Sequence, residues 1–347
     1  MTDRFRANVP RLDITPPSAF FGRRRFLSSF ALGVIAAPAV FCGERPAQAD
    51  GAQQASPLDS LLELPLERPD VFPPPHNDAY TVPEAIARKD LMPRKVAATH
   101  NNFYEFLPGG GGPVWRDVGA FEVDPWTIEV TGECHKPMTL DLDDLFAFDH
   151  EERVYHFRCV ERWAMNVPWS GFPLRTLLEK VEPKSSATHV AFTSALRPEQ
   201  MPGVREADYY PWPYREGLRM DEAMNDLAMV VTGVYGEPLL KQHGAPARII
   251  VPWKYGYKNP KSIVKIELLA VEPETFWQIQ PHEYGFISNI NPNIPHPRWS
   301  QARSHWLDTR EAFDTPIFNG YADYVAELYP DEPRTMQTPL RSGQIAR

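Results

Sequence analysis

Alternation of apolar and polar positions through the middle of the chain predicts a series of short strands. Trp126 to Gly132 alternates as a half-buried strand does, and Pro137 to Leu140 continues the pairing after a turn. Val154 to Val160 alternates again, with Tyr155, Phe157 and Cys159 on one face and His156 and Arg158 on the other. His189 to Ser194, Ala228 to Gly236 and Ala247 to Val251 read as further strands. Lys261 to Leu268 closes the set, with Val264, Ile266 and Leu268 sharing a face. Helical spacing is rarer. Leu174, Leu177, Leu178 and Val181 recur at i, i+3, i+4 and i+7, with Pro173 at the helix start. Short helical turns are predicted at Pro83 to Arg88, Asp141 to Phe146 and Asp221 to Met224. Between Cys159 and that long stripe a polar and aromatic turn is expected. Asp208 to Tyr214 is aromatic and broken by proline, and the C-terminal part is turn-rich around Asn291-Pro292 and His296-Pro297. Short strands with few helices make a β-rich α+β chain.

The ends change this picture. Arg23-Arg24-Arg25-Phe26-Leu27, an apolar run from Phe30 to Phe41 and Ala47-Gln48-Ala49 follow one another as basic region, apolar region and small-residue cleavage site. Residues 1–49 therefore read as a signal peptide, of the twin-arginine type because paired arginines precede Phe-Leu. The apolar run is too short for a permanent membrane anchor. Export by that route places the protein in the periplasm and hints at a cofactor inserted before export. The segment carries seven arginines and three acids, so a chain at −9 becomes −13 once it is removed. Such acidity disfavours nucleic acid and anionic membrane surfaces as partners. Cys42 leaves with the signal; Cys134 and Cys159 remain, too few for a disulfide framework. Residues 50–94 are rich in proline and read as an arm over the surface, and 95–347 as one large domain.

Candidate chemistry centres on Arg158-Cys159-Val160-Glu161. On local pattern alone Cys159 reads equally as a buried structural thiol or as a reagent. The chain has no Cys-x-x-Cys, His-Glu-x-x-His or Cys-x-x-Cys-His, so zinc, iron–sulfur and c-type haem sites lack their spacings. A lone thiolate can still hold a soft metal if a cofactor supplies the other sulfurs. The cofactor's phosphate would then need cations, for which Arg248 and Lys261 are candidates. Each of these, taken singly, reads first as a solvated surface charge.

Five stretches together carry a resemblance: His100-Asn101-Asn102-Phe103-Tyr104-Glu105-Phe106, Arg158 to Phe172, Pro198 to Gly203, Glu216 to Met224 and Gly244 to Gly256. In this order, from roughly Asn77 to Tyr329, the chain resembles the catalytic subunits of periplasmic protein-methionine-sulfoxide reductases (the MsrP or YedY family). Those subunits lie within the wider sulfite oxidase family of molybdoenzymes. The resemblance implies a sulfite oxidase-type fold and a molybdenum–molybdopterin cofactor without a nucleotide extension. It assigns Cys159 as the metal's protein ligand and Asn101, Tyr104, Glu105, Ser194, His243, Arg248, Asn259, Pro260 and Lys261 as cofactor contacts. Ser194 replaces a threonine and keeps its hydroxyl. His243 replaces an asparagine, and a pH-sensitive contact is expected there. Pro260 removes one backbone donor. Cys134 stands where an apolar residue is usual and reads as structural.

The implied reaction is oxygen-atom transfer from methionine sulfoxide residues in periplasmic proteins. Glu161 is the expected proton relay, with pairing to Arg162 as its structural alternative. Tyr209 to Tyr214 is a candidate apolar rim for the site. Electrons would come from a quinol through a membrane haem-containing subunit, and the chain is otherwise expected to be a monomer. One rival is a sulfite dehydrogenase on the same fold; Glu161 disfavours it, because a carboxylate beside the metal repels a dianion. The other rival is a non-catalytic periplasmic binding or assembly protein, which the export signal disfavours.

Overall fold

The computed structural model describes residues 59–109 and 112–338. The expected export signal over 1–49 and the first part of the arm lie outside the described residues, which all belong to one compact unit. Twelve strands are present among them: β1 (Ile128–Gly132), β2 (Met138–Leu140), β3 (Glu151–Arg158), β4 (Trp163–Pro173), β5 (His189–Ser194) and β6 (Arg215–Arg219), followed by β7 (Met229–Val234), β8 (Glu237–Pro238), β9 (Arg248–Ile250), β10 (Ile263–Leu269), β11 (Arg303–Trp306) and β12 (Ala312–Asp314). Six short α-helices accompany them: α1 (Arg94–Thr99), α2 (Leu142–Phe146), α3 (Leu174–Val181), α4 (Pro202–Glu206), α5 (Met220–Ala223) and α6 (Ala322–Val325). None is long and apolar enough to cross a membrane.

The strands form two sheets. One runs β2-β1-β10-β5-β6, with β1 and β10 parallel and the other pairs antiparallel. The other runs β12-β11-β4-β7-β8, with β3 on the free side of β4 and β9 beside β7. Between them lies a continuous apolar core that includes Phe157, Trp169, Phe192, Val230, Ile249 and Ile266. The stripe of α3 is fully buried at Leu174, Leu177, Leu178 and Val181, as its spacing predicts. Asp141 begins α2 in a reciprocal cap: its side chain accepts from Asp144 N, and the Asp144 carboxylate accepts from Asp141 N.

Three expectations are corrected. The turn expected after Cys159 lasts only three residues, and Trp163 to Pro173 is an 11-residue strand whose first ten residues are buried. With both faces covered, β4 shows no alternation, which is why its sequence does not announce it. Pro83 to Arg88 is not a helix; it closes as a turn through Ile86 N to Pro83 O at 2.9 Å, and the helix lies further on at α1. Val264 does not share a buried face with Ile266 and Leu268, because a register irregularity between Ile263 and Lys265 turns Ile263 inward instead.

The arm does more than cover the surface. His76 bridges Glu152, Asn77 N donates to Glu152 O at 2.8 Å, and Val154 N donates to Tyr80 O at 3.0 Å. These bonds pair the outer edge of β3, an edge that would otherwise expose a row of unmet backbone groups. Further along, Tyr321 OH accepts from His156 N and Asn319 Nδ2 donates to His156 O. The strand that delivers Cys159 is thus clamped on both sides.

Candidate active site

Cys159 stands at the tip of the β3–β4 hairpin, just past the last register pair, Arg158 with Ala164. Cys159 N donates to Trp163 O at 3.0 Å and Arg162 N donates to Cys159 O at 2.9 Å, closing the turn. The turn requires a left-handed backbone at Arg162, φ 76°. Behind the cysteine, Arg158 is fully buried, bonded from Nε to Ser304 Oγ at 2.8 Å and stacked over Tyr255. Burial pushes the Cys159 thiol well up, and the nearby Glu161 carboxylate pushes the same way. Left to itself the sulfur is an inert thiol; a soft cation bound there would favour the thiolate.

The loop after α1 meets this tip through Asn102. Its Nδ2 donates to Cys159 Sγ at 3.5 Å and to Glu161 Oε2 at 3.3 Å, while its carbonyl accepts from Lys261 Nζ at 2.8 Å. Glu161 Oε2 also accepts from Trp163 Nε1 at 3.1 Å, so its partners are Asn102 and Trp163 rather than Arg162. Sequence reasoning missed Asn102: an asparagine pair before an aromatic run signals only a loop, and nothing local marks which of the two faces the thiol.

The neighbouring contacts gather around the same place. Asn101 Nδ2 donates to Ala97 O and Ala98 O, closing the end of α1. Tyr104 packs edge-on against Trp277 at 4.9 Å and Tyr210 at 6.0 Å. Glu105 is buried, which raises its carboxyl, opposed by Lys261. Gly203 permits this loop its position, since a Cβ there would sit 2.3 Å from Tyr104 O. The Ser194 hydroxyl, at the end of β5, makes no hydrogen bond of ordinary geometry, although it lies near enough to Glu105 to favour the ionised carboxyl.

Arg248 Nη1 donates to His243 O at 2.8 Å and its guanidinium lies over Trp169 at 5.0 Å. Burial pushes the guanidinium down to about 9 and His243 down to about 3. The imidazole is therefore neutral at physiological pH, where the sequence suggested a pH-sensitive contact. Gly244, at φ 97°, brings this turn against Lys261, whose Cβ would lie 2.6 Å from an added methyl group. Asn259 turns its side chain to its own loop, accepting from Val251 N and donating to Tyr255 O and Gly256 O. Pro260 O accepts from Ile249 N at 3.1 Å. These two residues shape the loop, and Lys261 carries its charge, with an ammonium lowered by burial and by Arg248. Cys134 and Cys159 are both buried free thiols, so no disulfide joins them. Of the aromatic stretch, Tyr209 is exposed, while Tyr210, Trp212 and Tyr214 pack with Phe276 and Trp277 next to Val160.

The implied cofactor can be tested against these donors. Ser194 Oγ, His243 Nδ1 and Arg248 Nε are buried without a hydrogen-bond partner among the described residues, a costly condition unless a bound group completes them. Two cations and a neutral imidazole N–H or lone pair suit a phosphate, a hydroxyl suits a pterin, and a buried lone thiol suits a soft metal. The residues fit a molybdenum–molybdopterin.

The family of oxidoreductase molybdopterin-binding domains matches residues 115–277. A protein-methionine-sulfoxide reductase catalytic subunit MsrP from Burkholderia mallei is 44% identical over 330 residues, covering 93% of each chain. One from Xanthomonas axonopodis pv. citri is 42% identical over 341 residues, 95% of this chain and 97% of that one. A partial structural likeness, at TM-score 0.38 and 19% identity, covers 47% of this chain and 42% of a chain in the crystal structure of the sulfane dehydrogenase SoxCD from Paracoccus pantotrophus. Identity at the level of the MsrP subunits, sustained along nearly the whole chain, leaves no room for the non-catalytic reading: the chain belongs to the MsrP catalytic-subunit family and is a molybdopterin-binding oxidoreductase.

Proposed function

We propose that this chain reduces methionine sulfoxide residues of proteins by oxygen-atom transfer. It works in the periplasm after twin-arginine export, as a monomer, with electrons from a quinol through a membrane haem subunit. Its cofactor carries no nucleotide extension. The observation that supports the reading best is the meeting of three groups at the hairpin tip, a buried soft thiol, Asn102 and a carboxylate, beside donors that lack partners. When bound, the molybdenum–molybdopterin supplies a two-electron centre able to accept an oxygen atom.

The chain's own residues do the rest. Cys159 offers the soft protein ligand, and Arg248 and Lys261 hold the phosphate end. Asn102 orients the sulfur and the carboxylate together, since one amide nitrogen donates to both. The Glu161 carboxylate, held beside Cys159 by Asn102, is the group that would take up and pass on a proton there. Its charge also disfavours sulfite, a small dianion. Purified exported protein is expected to contain molybdenum by elemental analysis. With a dithionite-reduced dye it is expected to reduce oxidised proteins far faster than any dye reduction driven by sulfite. Comparable turnover of sulfite and sulfoxide would overturn the reading.

Replacing Glu161 by glutamine tests the proton role. The amide still accepts from Asn102 and Trp163, so the shape is kept while the exchangeable acid is lost. The expected result is full molybdenum content with kcat lowered roughly 100-fold; unchanged kcat would make Glu161 a structural acceptor only.

A further inference from the structure

The surroundings of His243 fix its tautomer. Its Nε2 lies 3.3 Å from Ala97 O on α1, and a carbonyl oxygen can only accept, so Nε2 carries the hydrogen. Burial, with Arg248, Arg94 and Lys261 adding to it, keeps the ring neutral. A neutral ring holds one hydrogen, so Nδ1 is left as a bare lone pair. The residue is 2% exposed, and its Nδ1 has no hydrogen-bond partner among the described residues. The cations around it do not supply one. Arg248 donates from Nη1 to His243 O at 2.8 Å and from Nη2 to Asn259 O at 3.4 Å, and its Nε is itself unpartnered. Arg94 Nε is unpartnered too, while Lys261 Nζ donates to Asn102 O at 2.8 Å. Trp169 packs against both His243 and Arg248, its ring 6.5 Å from the imidazole and 5.0 Å from the guanidinium.

The cradle therefore combines cationic donors, which attract an anion, with one buried acceptor, which does not. A fully ionised oxyanion has only lone pairs to set against Nδ1, and that leaves the acceptor unmet away from water. A phosphate monoester differs. Its second pKa is about 6, so a singly protonated form with one P–OH is within easy reach near neutral pH. That hydroxyl can donate to Nδ1 while the remaining oxygens accept from the cations. The asparagine that the resemblance implies at this position imposes no such condition, because its amide can turn either nitrogen or oxygen to a ligand.

Resting on the cofactor assignment but not on sulfoxide reduction, we propose that His243 makes the cradle selective for the protonation state of its anion: Nδ1 accepts a hydrogen bond from a singly protonated phosphate and disfavours oxyanions that carry no proton. The ring itself does not titrate; the anion brings the proton.

Phosphorus NMR on the loaded, full-length protein tests this, because the resonance of a phosphate monoester moves when its last proton leaves. In wild type the cofactor's resonance is expected to keep the singly protonated position up to about pH 8, two units beyond a free monoester. His243→Asn should still load molybdenum, and its resonance should reach the dianion position by about pH 8. The full chain made without cofactor gives a second measurement, with inorganic phosphate and sulfate as probes at neutral pH. Sulfate is fully ionised there and should bind wild type roughly 50-fold more weakly than phosphate. In His243→Asn that ratio should fall to about threefold or less. Arg248 and Lys261 act on both anions, so their own titration cancels in the ratio. A wild-type resonance at the dianion position, or one that titrates alike in both proteins, would overturn the selection and leave the cofactor assignment standing. Equal affinity of the wild-type chain for the two anions would also overturn it. Purified protein with neither molybdenum nor cofactor phosphorus would overturn the cofactor assignment as well.

Discussion

Replacing Cys159 by alanine is expected to give a folded protein with no bound molybdenum and no measurable sulfoxide reduction. The argument starts from what surrounds the sulfur. Cys159 is buried at the end of a strand whose two edges are bonded, to β4 on one side and to the arm and Tyr321 on the other. Removing one sulfur atom leaves that frame intact, so the fold should survive with a small loss for the vacated space. The soft donor has no replacement: Cys134 is the other thiol among the described residues, and its backbone bridges Pro183 rather than any residue of the hairpin tip. Serine keeps the shape but substitutes a hard oxygen for a soft sulfur, and should also fail to retain the metal. The consequence for stability follows by mass action, since a group that binds only the folded state stabilises it. At a thousand times its Kd such a group contributes about 4 kcal/mol. Cys159→Ala should therefore melt with cofactor-free wild type and well below the loaded enzyme. Elemental analysis and thermal melts on the same preparations check this. Full molybdenum content with retained turnover in the alanine variant would refute the role of Cys159.

The parts of this site differ in how far the sequence reveals them. α3 is visible because one buried face imposes its period, and β3 because apolar Tyr155 and Phe157 alternate with polar His156 and Arg158, although all four are buried. β4 is hidden by its own burial, and by Pro168 and Gly171, which weaken any strand pattern. Gly171 is there for approach: a Cβ would lie 2.1 Å from Val230 O on β7. The cofactor cradle is hidden for another reason. Ser194, His243, Arg248 and Lys261 come from separate stretches and meet only because β5, β9 and β10 place their ends together; no spacing rule links them. Family resemblance names those positions, but it does not say that Asn259 is spent on its own loop or that His243 is neutral. Those are consequences of burial and hydrogen bonding, which a one-dimensional pattern does not carry.

Lys254→Met is expected to be the most destabilising single change near the site. Lys254 lies in the loop between β9 and β10 that ends at Lys261. Its ammonium donates to Glu222 Oε1 at 2.7 Å, Ile287 O at 2.6 Å and Asn289 Oδ1 at 3.0 Å, with side-chain exposures of 0% and 1% for the ion pair. Burial lowers the ammonium to about 8, so it is still protonated at neutral pH. Glu222 is held below its ordinary value despite burial, because Lys254, Tyr329 OH and Arg219 N all favour the carboxylate. Methionine matches the lysine stem but strands that carboxylate, along with two acceptors, in a place water does not reach. Breaking a buried pair in this way costs about 3–5 kcal/mol. Glu222→Gln in the same background removes the stranded charge and should recover part of the loss, a coupling of about 0.5–3 kcal/mol. Urea unfolding at pH 7 measures both. The loop position adds a second readout: a slack Lys254 loosens the turn that carries Asn259, Pro260 and Lys261, so molybdenum content should fall as well. A single variant within about 1 kcal/mol of wild type would mean that the pair barely repays its own desolvation. Its retention would then have to be explained by loop placement, which the molybdenum content of the doubly substituted Lys254→Met/Glu222→Gln protein measures directly.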